Sequence, residues 1–185
     1  MTDSHRLIGL TNENPQGISL AGLIAEDYRT HGRDPVSQGF WALFWHRFGN
    51  WRMGIRPRPV RLPFSAAYRI GAKLTQWFCG IDLPYTVRLG RRVRLDHFGG
   101  MILVAESIGD DVVIRQNTTL GIARTTKPHD RPRIGNGVDI GAGAVIIGAI
   151  VVGDRAVIGA NAVVLRDVPE GAIMAGVPAR QIGQR

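Results

Sequence analysis

The stretch IGNGVDIGAGAVIIGAIVVGDRAVIGANAVV, residues 134–164, decides the fold. An aliphatic residue recurs in it at every sixth position, and Gly, Asn or Asp fills many of the positions between. This period fits neither an amphipathic helix nor a simple alternating strand. It is typical of a triangular parallel solenoid, in which each hexad supplies one short strand and one corner, with Gly, Asn or Asp taking the corner dihedral. The in-phase residues are Ile134, Ile140, Ile146, Val152, Ile158 and Val164.

The same period occurs nearer the N-terminus, and we expect its aliphatic side chains to point inward as well. It is broken by a step of nine residues that ends at Ile102 and by a step of fourteen that ends at Ile134. The second break predicts a loop over 121–133 outside the coil. A regular core is usually interrupted in this way for a functional site. The upstream members are Ile81, Val87, Val93, Ile102, Ile108, Ile114 and Leu120.

The chain divides into three parts by texture. Residues 1–20 are polar and predict a loose leader, whereas 21–80 carry apolar residues at three- and four-residue spacing and predict two or three helices. Residues 81–182 form the predicted solenoid. The aromatic side chains of the helical part, at Trp41, Trp45, Trp51 and Trp77, are expected to be packing anchors.

Charge is concentrated in one region. The chain has 23 Lys+Arg against 15 Asp+Glu, a formal net charge of +8, and eleven of the cations lie between Arg47 and Arg94 with one acid, Asp82. Two interpretations stay open: a solvated basic face, or a docking surface for phosphate or membrane headgroups on the basic helices. The single cysteine, Cys79, and the lack of a signal-type or membrane-spanning apolar run predict a soluble protein of the cytoplasm.

Six short motifs carry a resemblance to a known family. The chain resembles the hexapeptide-repeat acyltransferases, and specifically the serine acetyltransferase family and its polysaccharide-modifying relatives, with a texture nearest to the colanic-acid and capsule-type enzymes. The resemblance covers roughly residues 27–182. The motifs are Arg33-Asp34-Pro35, His46-Arg47-Phe48-Gly49-Asn50-Trp51, Leu95-Asp96-His97, Thr118-Thr119-Leu120-Gly121, Ile134-Gly135-Asn136-Gly137-Val138 and Ala175-Gly176-Val177-Pro178-Ala179-Arg180.

The resemblance implies a left-handed parallel β-helix behind a short helical region, assembled as a homotrimer with active sites between subunits. It also implies acetyl transfer from acetyl-CoA to an acceptor hydroxyl, with no metal and no nucleic acid. His97 matches the family's general base, and Asp82, fifteen residues earlier, matches the aspartate that orients it. The residue types suit the chemistry, because a hydroxyl attacks a thioester poorly until an imidazole of pKa near 6.5 takes its proton.

Other residues match the binding positions of the family. Asp34 and Asp96 survive from the constellation that binds an amino acid acceptor, but the family's second Arg-His pair is replaced by Asp130-Arg131, with His129 just before it. We therefore expect acceptor contacts from Asp34, Asp96, His129 and Arg131. For acetyl-CoA, small corner residues and the tail that closes over the cofactor indicate Ala142, Ala160, Gly176, Pro178 and Arg180.

The replaced pair and the short helical region favour a sugar hydroxyl of a saccharide or polysaccharide precursor as the acceptor. L-Serine, and hence a serine O-acetyltransferase of cysteine biosynthesis, is the alternative. A non-catalytic solenoid scaffold is disfavoured because Asp82, His97 and the long loop coincide. A relative of the metal-dependent γ-class carbonic anhydrases would need three histidine ligands, and the predicted solenoid holds only His97 and His129.

Overall fold

The computed structural model describes residues 9–185, which form a helical region followed by a parallel β-solenoid of about five coils. Residues 1–8 of the predicted leader lie outside the described residues. The helices are α1, Leu20–Thr30; α2, Gln38–Trp51; and α3, Arg58–Cys79, with a 3-10 turn at Arg52–Gly54. The strands are β1 Ile81–Asp82, β2 Arg88–Leu89, β3 Arg94–Asp96, β4 Met101–Leu103, β5 Ser107–Ile108, β6 Val113–Arg115, β7 Thr119–Gly121, β8 Arg133–Ile134, β9 Asp139–Ile140, β10 Val145–Ile147, β11 Val151–Val152, β12 Val157–Ile158, β13 Val163–Val164, β14 Ala172–Ala175 and β15 Arg180–Gln184.

The strands form the three faces of a prism. The first sheet has the order β1-β4-β7-β10-β13, the second β11-β8-β5-β2, and the third β15-β14-β12-β9-β6-β3. As far as β13, each strand from β4 onward pairs in parallel with the strand three places before it, and β14 pairs in parallel with β12. The exception is β15, which pairs antiparallel with β14 at the end of the third sheet. The predicted parallel β-helix behind a helical region is confirmed.

The hexad residues fill the prism. All six from Ile134 to Val164 are at most 3% exposed, as the period predicts. The prediction for Ile102 is wrong: its side chain is 47% exposed, and Met101 and Leu103 point inward instead, at 1% and 0%. The turn before β4 contains extra residues, and these shift the six-residue period by one position. Strand β4 therefore buries Met101 and Leu103, the two neighbours of Ile102.

The corners of the prism require left-handed backbone. One column of corners, repeated in successive coils, joins the third sheet to the first, and a second column joins the second sheet to the third. Gly, Asn and Asp tolerate this conformation best, which explains why they punctuate the hexads. The residues with positive φ are His97, Gly99, Gly100, Asn117, Gly143, Asn161 and Gly176 in the first column, and Arg92, Asp111, Gly137, Arg155 and Gly171 in the second.

Helix α2 closes the N-terminal end of the solenoid. The carbonyl groups of the first coil have no earlier coil to bond with, and side chains of α2 take its place. His46 Nε2 donates to the Val87 carbonyl at 2.9 Å, and Arg47 donates to the carbonyls of Leu89 and Gly90 at 2.9 and 2.6 Å. The buried Arg47 guanidinium is also paired with Asp27 of α1 at 3.0 Å. The polar motif of α2 is therefore a structural cap.

The two longer helices pack through aromatic side chains. Gly71 of α3 lies against the Trp45 ring, so close that an added Cβ would approach it to 2.1 Å. Trp51 meets Phe64 edge-on, with ring centroids 5.5 Å apart. Trp77 does not take part, because its side chain is 71% exposed. The prediction that Trp77 is a packing anchor is therefore wrong.

Acid should destabilise the cap. Burial, together with the positive charge of Arg47, lowers the pKa of His46 from 6.5 to about 3. Between those pH values the unfolded chain binds a proton at His46 and the folded chain does not. The stabilisation that the neutral His46 provides is therefore fully present above about pH 6.5 and decreases as the pH falls. We expect this residue to cost roughly 2 kcal/mol of the free energy of unfolding by pH 5. The urea midpoints of the wild type and of His46→Gln at pH 7 and pH 5 measure this decrease. If both proteins lose the same free energy of unfolding between pH 7 and pH 5, His46 is not the group responsible.

Candidate active site

His97 lies in the turn between β3 and β4, at the corner that joins the third sheet to the first. Its φ of 65° is left-handed, which histidine adopts more readily than most side chains. Two backbone hydrogen bonds fix the turn to the residues before β1: Gly99 N–H donates to Cys79 O at 3.0 Å, and Met101 N–H donates to Gly80 O at 2.9 Å. The His97 side chain is exposed on this fixed turn.

A pocket of about 260 Å³ adjoins His97. Its walls come from the end of α1, the start of α2 and strand β3, and they include Ser37, Arg94 and Asp96. His31 joins these walls, because its Nε2 accepts from the Leu95 N–H at 3.2 Å while Nδ1 donates to the Asp27 carbonyl at 2.8 Å. The sequence motifs did not identify His31, which precedes the Arg33-Asp34-Pro35 motif and carries no spacing signal of its own.

The pocket holds both signs of charge. Arg94 Nη2 donates to Asp96 Oδ2 at 2.8 Å, and both side chains are partly exposed. Asp34, the other predicted acceptor residue, does not line the pocket; its Oδ1 accepts from the Val36 N–H at 2.9 Å in the loop between α1 and α2. The structure thus brings Asp96 together with His97, and leaves Asp34 in the loop that connects two walls of the pocket.

Asp82 lies on β1, in the same coil as His97. Its Oδ1 accepts from Gln76 Nε2 of α3 at 2.8 Å, and it lines a second pocket of about 160 Å³ with His46 and Tyr68. Among residues 9–185 no hydrogen bond joins Asp82 to His97. The hydrogen bond from Gln76 engages only Oδ1 of the Asp82 carboxylate. The pairing of Asp82 with His97 stays a prediction.

The predicted acceptor residues of the 121–133 loop lie at a different corner of the prism from His97. The loop leaves the coil between β7 and β8, where the first sheet meets the second, whereas His97 lies where the third meets the first. Arg131 Nε donates to the Pro128 carbonyl at 3.1 Å, and Lys127 lies 3.9 Å from Asp130. Neither Arg131 nor His129 lines the pocket beside His97. Within one chain, the predicted acceptor residues are therefore divided between two corners.

The predicted acetyl-CoA residues lie along the same edge of the prism as His97. Ala142 and Ala160 follow β9 and β12 at successive corners of this edge, and the Ala142 carbonyl accepts from the Asn161 N–H at 2.8 Å. The turn after β14 continues the edge with Gly176, and Pro178 and Arg180 line a small pocket at that end. With coils about 4.8 Å apart, Ala142 is about 10 Å along the edge from His97.

Residues 9–185 contain no cluster of three or more His, Cys, Asp or Glu side chains that could hold a metal ion. None of the helices in the same range is both long and apolar enough to cross a membrane.

Comparison with known proteins decides the family. Residues 131–166 match the family described as bacterial transferase hexapeptide (six repeats). A serine acetyltransferase of Helicobacter pylori, strain J99, is 41% identical over 155 residues, which are 80% of this chain and 90% of that protein. The chain belongs to the serine acetyltransferase family. The resemblance found in the sequence is confirmed.

Other family members match over most of this chain. Serine acetyltransferases of Mycobacterium tuberculosis and Salmonella typhimurium are 37% and 39% identical over 79% and 92% of it, but the chain spans only 61% and 63% of their lengths. A Brucella abortus serine acetyltransferase in complex with coenzyme A has a TM-score of 0.74 at 26% identity, over 99% of this chain and 83% of that one. A soybean serine acetyltransferase complexed with serine has a TM-score of 0.70 at 28% identity, over 98% and 85%.

These relatives correct the predicted acceptor. The sequence favoured a sugar hydroxyl and a role in polysaccharide biosynthesis, whereas the relatives and structural neighbours are consistently serine acetyltransferases. A short helical region does not argue against this family, since the Helicobacter protein is matched over 90% of its length. The replacement of the loop pair by Asp130-Arg131 therefore does not indicate a sugar acceptor.

Proposed function

We propose that this protein is an acetyl-CoA-dependent serine O-acetyltransferase with His97 as the general base. The observation that carries the proposal is the single edge of the solenoid on which His97 and the small corner residues Ala142 and Ala160 follow one another. An extended thioester lying along this edge has its acyl end at His97. The Brucella relative solved with coenzyme A supports the choice of donor.

The reaction needs one proton relay. The His97 imidazole takes the proton from the serine hydroxyl as the oxygen bonds to the acetyl carbon, and the C–S bond to coenzyme A then breaks. The imidazolium returns the proton to the departing thiolate, so the products are O-acetylserine and free coenzyme A. Asp82, with its second carboxylate oxygen, is the candidate to orient the imidazole and stabilise its charged form.

The pocket beside His97 suits a zwitterion. Asp96 offers a carboxylate to the ammonium group of serine, and Arg94 offers a guanidinium to its carboxylate. Serine binding would exchange the internal Arg94–Asp96 pair for two ion pairs with the substrate. Arg94 thus supplies, within the same chain, a positive charge where the family's loop pair is replaced by Asp130-Arg131.

A neighbouring copy has a role in this proposal. Because the loop with His129 and Arg131 leaves a different corner from His97, a second subunit is needed to bring such a loop against the pocket. We therefore retain the homotrimer as part of the proposed function. Its expected interface runs along the coils.

The substrate is tested by thiol release from acetyl-CoA. We expect kcat/KM for L-serine on the order of 10⁴ M⁻¹s⁻¹ or more, and no comparable rate with a neutral oligosaccharide. Arg94→Met should raise the KM for serine at least tenfold with a smaller change in kcat, because it removes a partner of the substrate carboxylate.

Arg88→Met is the matched control, since Arg88 forms an equivalent outward pair with Glu106 on the second sheet, away from the pocket. It should leave the KM unchanged. Thiol release with serine no faster than hydrolysis without it would overturn the proposed function. Equal effects of the two variants would overturn the role of Arg94.

A further inference from the structure

The structure divides the basic region of the sequence into two groups. Two of its cations are buried: Arg47 in the cap of the solenoid, and Arg52 between the rings of Tyr68 and Tyr85 at 4.6 and 4.5 Å. Four more face carboxylates. These pairs are Arg88 with Glu106, Arg91 with Glu26, Arg92 with Asp111, and Arg94 with Asp96.

The remaining cations belong to one helix. They lie in α3 or just before it, and they have no carboxylate partner among the residues that the structure describes. Helix α3 itself contains neither Asp nor Glu over its 22 residues. The five are Arg56, Arg58, Arg61, Arg69 and Lys73.

The same helix exposes large apolar side chains. Its inner side, with Gly71 and Thr75 buried, packs on α2 and the first coil, and its outer side is open. Leu62, Ile70 and Trp77 project there at 66%, 63% and 71% exposure. We call this outer side, with the cations of the helix, the α3 face; Leu74, 42% exposed, is a further apolar residue on it.

A second copy of the chain is a poor occupant of the α3 face. Two such faces in contact would oppose five cations with five. The carboxylates elsewhere on the chain have little left to offer, because most already face arginines or backbone donors; they include Glu26, Asp27, Glu106, Asp111, Asp139, Asp154, Asp167 and Glu170. An occupant must therefore supply both negative charge and apolar volume from outside the chain.

We propose that the α3 face docks on the surface of a bilayer that contains anionic phospholipids. A helix with Arg and Lys beside exposed Trp, Ile and Leu, and with no acid, lies in the plane of such an interface. Headgroup phosphates neutralise the cations, and the apolar side chains reach the acyl boundary. At 22 residues the helix is about 33 Å long, so it presents both features over several lipids. This inference does not depend on the reaction at His97.

Co-sedimentation of the full chain with vesicles tests the proposal. We expect binding to vesicles of phosphatidylcholine with phosphatidylglycerol, little binding to phosphatidylcholine alone, and weakening by salt. Arg69→Gln with Lys73→Gln should reduce the partition coefficient about 30-fold. Arg166→Gln with Arg185→Gln removes the same charge at the far end of the solenoid and should leave binding unchanged.

A second pair of variants tests the apolar contribution. Ile70→Ser with Trp77→Ser keeps every cation, and we expect it to weaken vesicle binding at least tenfold. Undiminished binding of this variant, or equal loss in both charge variants, would overturn the proposal. It would also be wrong if the wild type ignored anionic vesicles. A change in the oligomeric mass of the α3 variants, measured by sedimentation, would also overturn the proposal. The α3 face would then be an interface between copies of this chain.

Discussion

Replacing His97 by Asn is expected to lower kcat by roughly 10²–10⁴-fold, with acetyl-CoA affinity and overall stability nearly unchanged. Asparagine cannot accept a proton near neutral pH. It does tolerate the left-handed backbone of the turn, at φ 65°, so that the variant tests chemistry and not folding. The measurement is kcat at saturating acetyl-CoA.

Two companion variants sharpen this result. Asp82→Asn should cost less than His97→Asn, because the imidazole survives with poorer orientation. His129→Asn, in the loop at the other corner, should spare kcat and act on the acceptor KM if it acts at all. An essential His129 with a dispensable His97 would mean that the loop carries the base.

Replacing Arg47 by Met is expected to lower the free energy of unfolding by about 3–5 kcal/mol. The change leaves Asp27 buried without its partner and two carbonyls of the first coil without donors. Burial already raises the pKa of Asp27, with Arg47 opposing the shift, so loss of the guanidinium favours the protonated acid. Urea unfolding at pH 7 measures the loss.

The surface pair of Arg92 with Asp111 provides the contrast. Arg92→Met should cost less than about 1 kcal/mol, because that pair is solvated and screened. Adding Asp27→Asn to Arg47→Met should restore part of the lost stability, since it removes the unpaired charge. Equal costs for Arg47→Met and Arg92→Met would show that the cap is not held by Arg47.

The repetitive part of the fold could be predicted from the sequence because each hexad solves the same local problem. Ile140 and Ile158 are buried and Asn161 takes a left-handed corner, as the pattern indicates. The pattern fails at Ile102, where the turn that carries His97 changes the phase. A six-residue period does not predict how extra residues are accommodated at one turn, and here that turn carries the candidate base.

The candidate site was only partly predictable. Asp96 and His97 form a sequence motif, and the structure places both in one pocket. Arg94 and His31 were missed, because their importance depends on α1 ending against β3, a tertiary contact without a local signal. The sequence also did not predict that the 121–133 loop and His97 lie at different corners, because this depends on which sheets meet at each corner.

The antiparallel strand β15 has a consequence for the solubility of the solenoid. A stack of parallel strands ends in a row of unpaired N–H and C=O groups, which is a template for the strand of another molecule. β15 covers that row on the third sheet with a reversed strand, whose direction breaks the stacking rule of the coils. At the opposite end, α2 satisfies the first coil with side chains instead of backbone. Strand β15 and helix α2 thus each oppose the end-to-end stacking of solenoids into fibres.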